Sequence, residues 1–463
     1  MAKTDIDQNA PKAEVNEAPL VEGSLWRAIW LMTWPLVLTT VCTSIVGLVD
    51  VQVAKKLGYA AQGAVGLAEQ VIFLFMIFFM CTAIGTTAMV SRAFGEKNHE
   101  EAVRTTSQSL AIALFAGIVL TVVALFASEK ILRIFSPSAQ FGTLSSRYLE
   151  FYSFFLIPFG VVCVINAAFR AAGDAKTPLL ITLTSTIISI ALDFATVYGN
   201  WPVPNLGIRG IALAGVAGYS ISALLSFERL SRSNLKGSLK LLLPLDFPLM
   251  IRILRVSLPT GFQRLGWVLS TFFLFFILNK CPQPTAALAS WVISLRVEAL
   301  LFMPMVAFSL AVSSIVGQNL GAKQYDRAFK AGWNVANLGV SFMFVMGLVL
   351  FFGADFIATR MTDDPTTISY VSSYLRVNAL AEPMLALGMV LSGALQGAGD
   401  TATPMWITLT TQWVYRLPAA YIMAVMMHLG PIGVWYAMSS SMYLIGIFTA
   451  MRYQSRKWMA TRV

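Results

Sequence analysis

Charge is what this chain lacks most. Only 12% of its 463 residues are Asp, Glu, Lys or Arg, against about 25% in a soluble globular domain. Histidine is nearly absent: His99 and His428 are too few for a metal site. Cysteine is scarce as well. Cys42, Cys81 and Cys163 fall within apolar runs, and no pair among these and Cys281 has metal or redox spacing. They read as small apolar packing residues. The sequence has no Gly-x-Ser-x-Gly, no P-loop and no histidine-rich helix. An enzyme is therefore not expected, direct ATP drive is unsupported, and no cofactor is implied. Apolar–polar alternation over ~10-residue strands, the mark of a membrane β-barrel, is also missing.

What the chain has in quantity is apolar length. Hydrophobic residues make up 57% of it, and the mean hydropathy is +0.70. About twelve runs approach the ~20 residues that cross a bilayer. They are 28–54, 60–91, 107–128, 146–170, 177–199, 208–228, 253–279, 285–317, 329–356, 370–396, 403–427 and 431–451. Short loops rich in Gly, Pro, Lys or Asp separate them. The expected fold class is all-α, a polytopic membrane protein of about twelve transmembrane helices. Residues 1–24 are polar and lack the basic start and short apolar core of a secretory signal. They read as a disordered tail.

The net charge of +10 could suggest a polyanion partner, but its distribution follows the loops. With an even number of spans both termini share a side. That side carries Lys3, Lys12, Arg27, Arg92, Lys97, Arg104, Arg170, Lys176, Arg229, Arg232, Lys236, Lys240, Lys323, Arg327 and Arg456 among others. The opposite side carries fewer, such as Lys55, Lys56, Lys130, Arg133, Arg209, Lys280 and Arg360. The positive-inside rule then makes both termini cytoplasmic. The basic excess is a topology signal and calls for no nucleic acid. The most basic loop, "RLSRSNLKGSLKLLLPLD", begins at Arg229 and falls mid-chain. It reads as a linker, with room for a helix lying on the inner leaflet.

That linker divides a repeat. "AAGDAKTP" from Ala171 and "GAGDTATP" from Gly397 lie 226 positions apart, and each is followed by Ile-Thr-Leu-Thr. At the same shift "FGEKNHEEA" (from Phe94) meets "LGAKQYDRA" (from Leu320), and Tyr148-Leu149 meets Tyr374-Leu375. Two homologous halves of about six spans each enter the membrane from the same side. The repeat is therefore parallel, with its pseudo-two-fold along the membrane normal, a plan suited to alternating access. The expected divisions are a tail at 1–24, an N-lobe at 25–228, a linker at 229–249, a C-lobe at 250–452 and a tail at 453–463. In the repeated turn, Gly173 and Gly399 can end one helix in a left-handed conformation. Asp174 and Asp400 can cap the next helix. A structural cap is the expected role, and no substrate is placed there.

Several blocks carry a resemblance: "LVDVQVAKKLG" from Leu48, "AIGTTAMVSRAFGEKN" from Ala83, "VGQNLGAKQYDRA" from Val316, "ALQGAGDTATP" from Ala394 and "YRLPAAY" from Tyr415. Over nearly the whole chain it resembles the MATE family, the multidrug and toxic compound extrusion transporters. The resemblance implies two six-helix lobes forming a V-shaped cleft. It implies a plasma-membrane antiporter, expected as a monomer, that exports small cationic or amphiphilic organic compounds against H⁺ or Na⁺ entry. Two other readings share the plan: an exporter of organic acids, and a lipid-linked precursor flippase.

Ionisable groups at mid-membrane are costly and so are functional candidates. Asp50 follows Thr39, Thr40, Thr43 and Gly47 on one helical face, and it matches the family's first-helix coupling aspartate. Lys55 stands soon after it, where a glycine is usual. Asp193 follows Thr182, Thr186 and Ser189 on one face. Some relatives carry an asparagine at the place of Ser189, which weakens the case for Na⁺ held near Asp50 and Asp193. Two neighbouring carboxylates need not both ionise, which makes a proton switch. The C-lobe offers Glu298 and Glu382, with Asn378 one turn before Glu382 and Pro383 after it. Pro383 can kink its helix. Relatives with a C-lobe cation site carry a glutamate in the seventh span. Here Gln263 and Arg264 occupy that stretch, so coupling is expected in the N-lobe. Glu69 and Gln70 read mainly as structural residues near the outer mouth. Arg264, Arg296 and Arg416 are expected to pair with carboxylates between helices. They also keep an anion pocket open as an alternative.

Overall fold

The computed structural model describes residues 20–135, 139–198 and 206–461. Most of the expected N-terminal tail, residues 1–19, lies outside the described residues. Among the described residues all regular structure is helical. The helices are α1 (Leu25–Lys55), α2 (Tyr59–Gly95), α3 (His99–Phe135), α4 (Ala139–Tyr152), α5 (Leu156–Ala171), α6 (Lys176–Tyr198), α7 (Ile208–Ser231), α8 (Phe247–Leu278), α9 (Pro284–Gly321), α10 (Tyr325–Met361), α11 (Pro365–Ala379), α12 (Glu382–Gly397), α13 (Ala402–Leu409), α14 (Leu417–Tyr421) and α15 (Pro431–Gln454).

Ten spans, one of them running through α4 and α5, are long and apolar enough to cross a membrane, and α11 with α12 makes an eleventh, bent by 54°. The run 402–426 alternates α and π turns without a gap. It occupies the apolar run expected at 403–427. The bend between α11 and α12 falls at Leu380–Ala381, with Pro383 in the first turn of α12. A proline disfavours helical geometry in the residue before it and has no N–H to donate. At its start α11 is capped by Asp364, which accepts from the Thr367 amide and hydroxyl. Those bonds hold the Asp364 carboxyl below the usual carboxylate range.

The repeat is visible in the backbone. Each bound of α3, α5 and the start of α6 recurs 226 residues later in α10, α12 and α13. Lys97 and Lys323 both take left-handed φ, at 58° and 59°, and Gly173 and Gly399 do so at 90° and 89°. The closing bonds match as well. The Asp174 amide donates to Phe169 O and the Asp400 amide to Leu395 O, both at 2.9 Å. Asp174 caps α6 through the amides of Lys176 and Thr177. Asp400 accepts from the Thr403 amide and also holds Arg452 at 2.7 Å.

The lipid-facing stripe is duplicated too. Ile118, Val119, Val122, Val123 and Phe126 on α3 are exposed, and so are Phe344, Val345, Leu348, Val349 and Phe352 at the equivalent places on α10. Phe126 and Phe352 are 81% and 79% exposed. Such continuous apolar exposure is rare on a soluble monomer and is what hydrocarbon demands.

Among the described residues the two largest apolar cores lie one in each lobe, and α1 takes part in both. Its first turns, with Ala28, Ile29, Met32 and Leu36, pack into the C-lobe core, while Val53 and Ala54 belong to the N-lobe core. The C-lobe returns the exchange. Leu249 and Ile253 at the start of α8 pack against Met89 of α2 and Ile112 of α3, and Leu274, Ile277 and Leu278 join the C-lobe core. Where the ends of α2 and α9 cross, a Cβ on Gly95 would stand 2.0 Å from Gln318 O, and one on Gly321 would stand 2.1 Å from Arg92 O. Only glycine permits this reciprocal backbone approach. Gln318 Nε2 donates to Ala171 O nearby, and Arg92 Nη1 to Thr461 O. These contacts close the lobes together at one end of the bundle.

The segment after Arg229 is a series of turns rather than the inner-leaflet helix for which the sequence left room. Local backbone turns are joined there by side-chain bonds. Ser233 Oγ accepts from the Leu235 amide, and Gln108 Nε2 donates to Leu241 O. Leu235, Leu239 and Leu242 meanwhile pack on the N-lobe core.

Candidate coupling and substrate site

The polar stripe of α6 faces inward. Thr186, Ser189 and Asp193 are buried, while Leu183, Ile187 and Phe194 between them are exposed. This is the 3.6-residue period of one helix with one protein face and one lipid face. Asp193 is only 1% exposed, and its carboxyl lies within hydrogen-bonding reach of Asp50 on α1. Neither Asp193 oxygen accepts from a protein N–H or O–H among the described residues. Two ionised carboxylates cannot bond to each other, so this approach needs a shared proton or a cation between them.

Glu69 of α2 is the next charge to Asp50. The structure thus brings together three acids where the sequence paired two and assigned Glu69 to structure. Tyr148 and Tyr152 of α4 border the same group. They begin an aromatic stack that continues through Phe155 and Phe159, with ring centroids 4.9–5.2 Å apart. Tyr148 was legible as a repeat position, but nothing in its spacing announced contact with acids. Along α1, Thr39, Thr40 and Thr43 turn their hydroxyls back to carbonyls of their own helix. Lys55 and Lys56 are exposed. Among the described residues no group of three or more His, Cys, Asp or Glu is arranged to hold a metal ion.

The C-lobe candidates gather differently. Glu298 of α9 accepts a 2.5 Å hydrogen bond from the Tyr374 hydroxyl of α11, and Arg416 and Glu382 lie nearby. Arg416, in the π segment between α13 and α14, is buried and donates from Nε to Ser441 Oγ at 2.6 Å. Tyr374 packs its ring against Trp435, which stacks on Trp291. Glu382 is 1% exposed and its Oε2 has no protein donor. Asn378 donates to Tyr374 O.

Gln263 of α8 bonds Thr408 and Gln396 instead of these acids. Arg264 is half-buried on α8, near the Cys81 and Cys163 thiols of the N-lobe. Arg296 is exposed. Of the three intramembrane arginines, only Arg416 sits beside a carboxylate among the described residues.

Comparison with known proteins places this architecture. The MatE family model matches residues 35–195 and 259–422, one segment in each half of the repeat. The chain belongs to the MatE family. It is a multi-pass membrane transporter and not an enzyme. It is 28% identical over 458 residues to the probable multidrug resistance protein NorM of Thermotoga maritima, covering 97% of this chain and 95% of that one. It is 25% identical to the probable multidrug resistance protein YoeA of Bacillus subtilis, covering 97% and 99%. Among solved structures, a MATE in complex with MaL6 superposes with a TM-score of 0.87 at 21% identity, covering 95% of this chain and 98% of that one. A MOP superfamily transporter from Pyrococcus furiosus superposes at 0.86 with 20% identity, covering 95% and 98%; its described binding pocket has reversed polarity. At these identities the structural matches speak for the fold.

Proposed function

We propose that this MatE protein is a cation-driven exporter of small organic compounds, with the coupling ion bound in the N-lobe. The observation that carries the reading is the Asp50–Asp193 approach between α1 and α6, with Asp193 buried and without a protein donor among the described residues. A proton shared by the two carboxyls holds α1 against α6. Its loss leaves two like charges that repel in a low-dielectric site. Binding and release of one proton thus act on the position of α1, and α1 is rooted in both cores. The names of the NorM and YoeA relatives favour multidrug export. The basic excess on the loops that share a side with the termini favours cytoplasmic termini in a plasma membrane.

The test is efflux from proteoliposomes under separately imposed pH and Na⁺ gradients, followed with ethidium as an organic cation and benzoate as an organic anion. Export of either probe that follows the pH gradient supports the reading. Export that follows Na⁺ and ignores pH overturns the proton, and export driven by neither gradient overturns the reading as a whole.

A further inference from the structure

Residues 455–461 break the symmetry of the two lobes. The helices before the linker and before this segment, α7 (Ile208–Ser231) and α15 (Pro431–Gln454), match at a shift of 223. In each half the segment that follows tucks one large apolar side chain into its own lobe, Leu235 in the N-lobe and Trp458 at the equivalent place in the C-lobe. Three residues later the halves part. Ser238 Oγ donates to Val103 O of its own lobe at 3.2 Å. Thr461, its equivalent, offers its carbonyl to Arg92 Nη1 at the end of α2, 2.7 Å away in the other lobe. Arg92 breaks the symmetry from its side as well. It is the equivalent of Gln318, which donates to Ala171 O at the end of α5. The symmetric acceptor for Arg92 would be Gly397 O at the end of α12, and Arg92 bonds Thr461 O instead.

We infer that residues 455–461 are a strap that latches the lobes where Gly95 crosses Gly321 and sets how often this end of the bundle opens. The inference rests on the export reading, since it names a control on the alternation that export needs. The strap is rooted in the C-lobe. Trp458 is fully buried, stacks on Tyr453 and donates from Nε1 to Tyr453 O. Arg456 pairs with Asp326, and its guanidinium lies 4.2 Å over the Phe329 ring. The Arg92 bond is the strap's tie to the N-lobe, and a guanidinium donor makes such a bond stronger than a neutral one. Between these anchors the chain forms a 3₁₀ turn, Lys457–Ala460. Such a turn rises ~2 Å per residue, where an extended chain reaches ~3.4 Å. Unwinding it from Trp458 to Thr461 gives about 4 Å of slack. Small movements of the lobes therefore leave the strap docked, and a larger opening breaks the Arg92 bond.

The test is the separation of the lobes, read by double electron–electron resonance in lipid nanodiscs. Nitroxides are placed on Glu100→Cys in the N-lobe and Lys330→Cys in the C-lobe, both exposed positions, with Cys42, Cys81, Cys163 and Cys281 changed to serine. The measurement is made at a pH where a short and a long distance are both populated. Arg92→Gln is expected to lower the ratio of short to long about tenfold, the scale of one lost bond to a charged donor. Removal of residues 459–463, which keeps Trp458 and Arg92, should do the same, and combining the two changes should add nothing further. Glu96→Gln, which removes only the ion pair of Arg92 at the end of α2, should leave the ratio unchanged.

A single distance at every pH, or a ratio that either variant leaves unchanged, overturns the inference. So does a Glu96→Gln shift as large as that of Arg92→Gln, and so do two shifts that simply add. Shifted ratios in a protein whose efflux neither gradient drives defeat the export reading alone. Gradient-driven efflux with an unmoved ratio defeats the strap alone.

Discussion

In the C-lobe, Glu298 is held by the Tyr374 hydroxyl with Arg416 beside it. In the N-lobe, Asp50 faces Asp193, and Glu69 comes next. The tyrosines are equivalent, since Tyr148 and Tyr374 lie 226 positions apart and both border acids. The charges are not. Glu298 corresponds to Ile72, Glu382 to Leu156, Arg416 to Ile190 and Asp193 to Ala419. Duplication kept the turns in register, and the acids were placed separately in each lobe. One acid group carries its own counter-charge, and the other must take one from outside. A transporter coupled to a mobile cation can use the second arrangement directly, whereas in the first Glu298 already has a donor and a cation beside it, and only Glu382 Oε2 is left without a protein donor.

The largest effect expected from this contrast is on transport. Asp50→Asn or Asp193→Asn should reduce pH-driven efflux from proteoliposomes to the level of empty liposomes, with folding retained because Asn is nearly isosteric. Glu382→Gln should leave most of the activity. Normal pumping by both Asp variants, together with loss in Glu382→Gln, would reverse the assignment of the lobes.

Next comes stability. Arg416→Met removes the cation beside Glu298 and its bond to Ser441, and should cost about 1–3 kcal/mol in reversible unfolding in micelles. Adding Glu298→Gln should restore much of the loss. No rescue in the double variant would show that Arg416 acts through packing or through Ser441, and the C-lobe would then not be internally neutralised.

A smaller and symmetric effect is expected where the lobes are alike. Gly95→Ala and Gly321→Ala each force a methyl to within about 2 Å of a backbone carbonyl, and each should cost about 1–3 kcal/mol in the same unfolding measurement. A loss confined to one of the two would show that the crossing is not used equally by both lobes.

The fold was legible because its signals are local and repeated. Apolar runs, the Gly-Asp turns and the shift of 226 located the helices from single stretches of chain. Asp50 and Asp193 could be named because polar residues at helical spacing inside an apolar run have few other readings. What escaped depends on which helices touch. Glu69 joins the acids only because α2 brings it beside α1. Tyr374 reaches Glu298 across 76 positions. Arg170 looked like one more basic loop residue until its burial was seen. The turns after Arg229 gave no warning either, since Leu241 O accepts from Gln108 and the Ser238 hydroxyl donates to Val103 O of α3, far away in sequence.

The exchange of α1 and α8 between the cores has a mechanical consequence. With its first turns rooted in the C-lobe and its last in the N-lobe, α1 works as a tie-rod across a joint. When the angle between the lobes changes, its two anchored ends travel with different bodies. The mismatch has to be absorbed in the span between them, which contains Asp50. Torque between the lobes is thus delivered to the segment whose carboxyl meets Asp193. Transmission also runs the other way, since locking that carboxyl in place stiffens the joint.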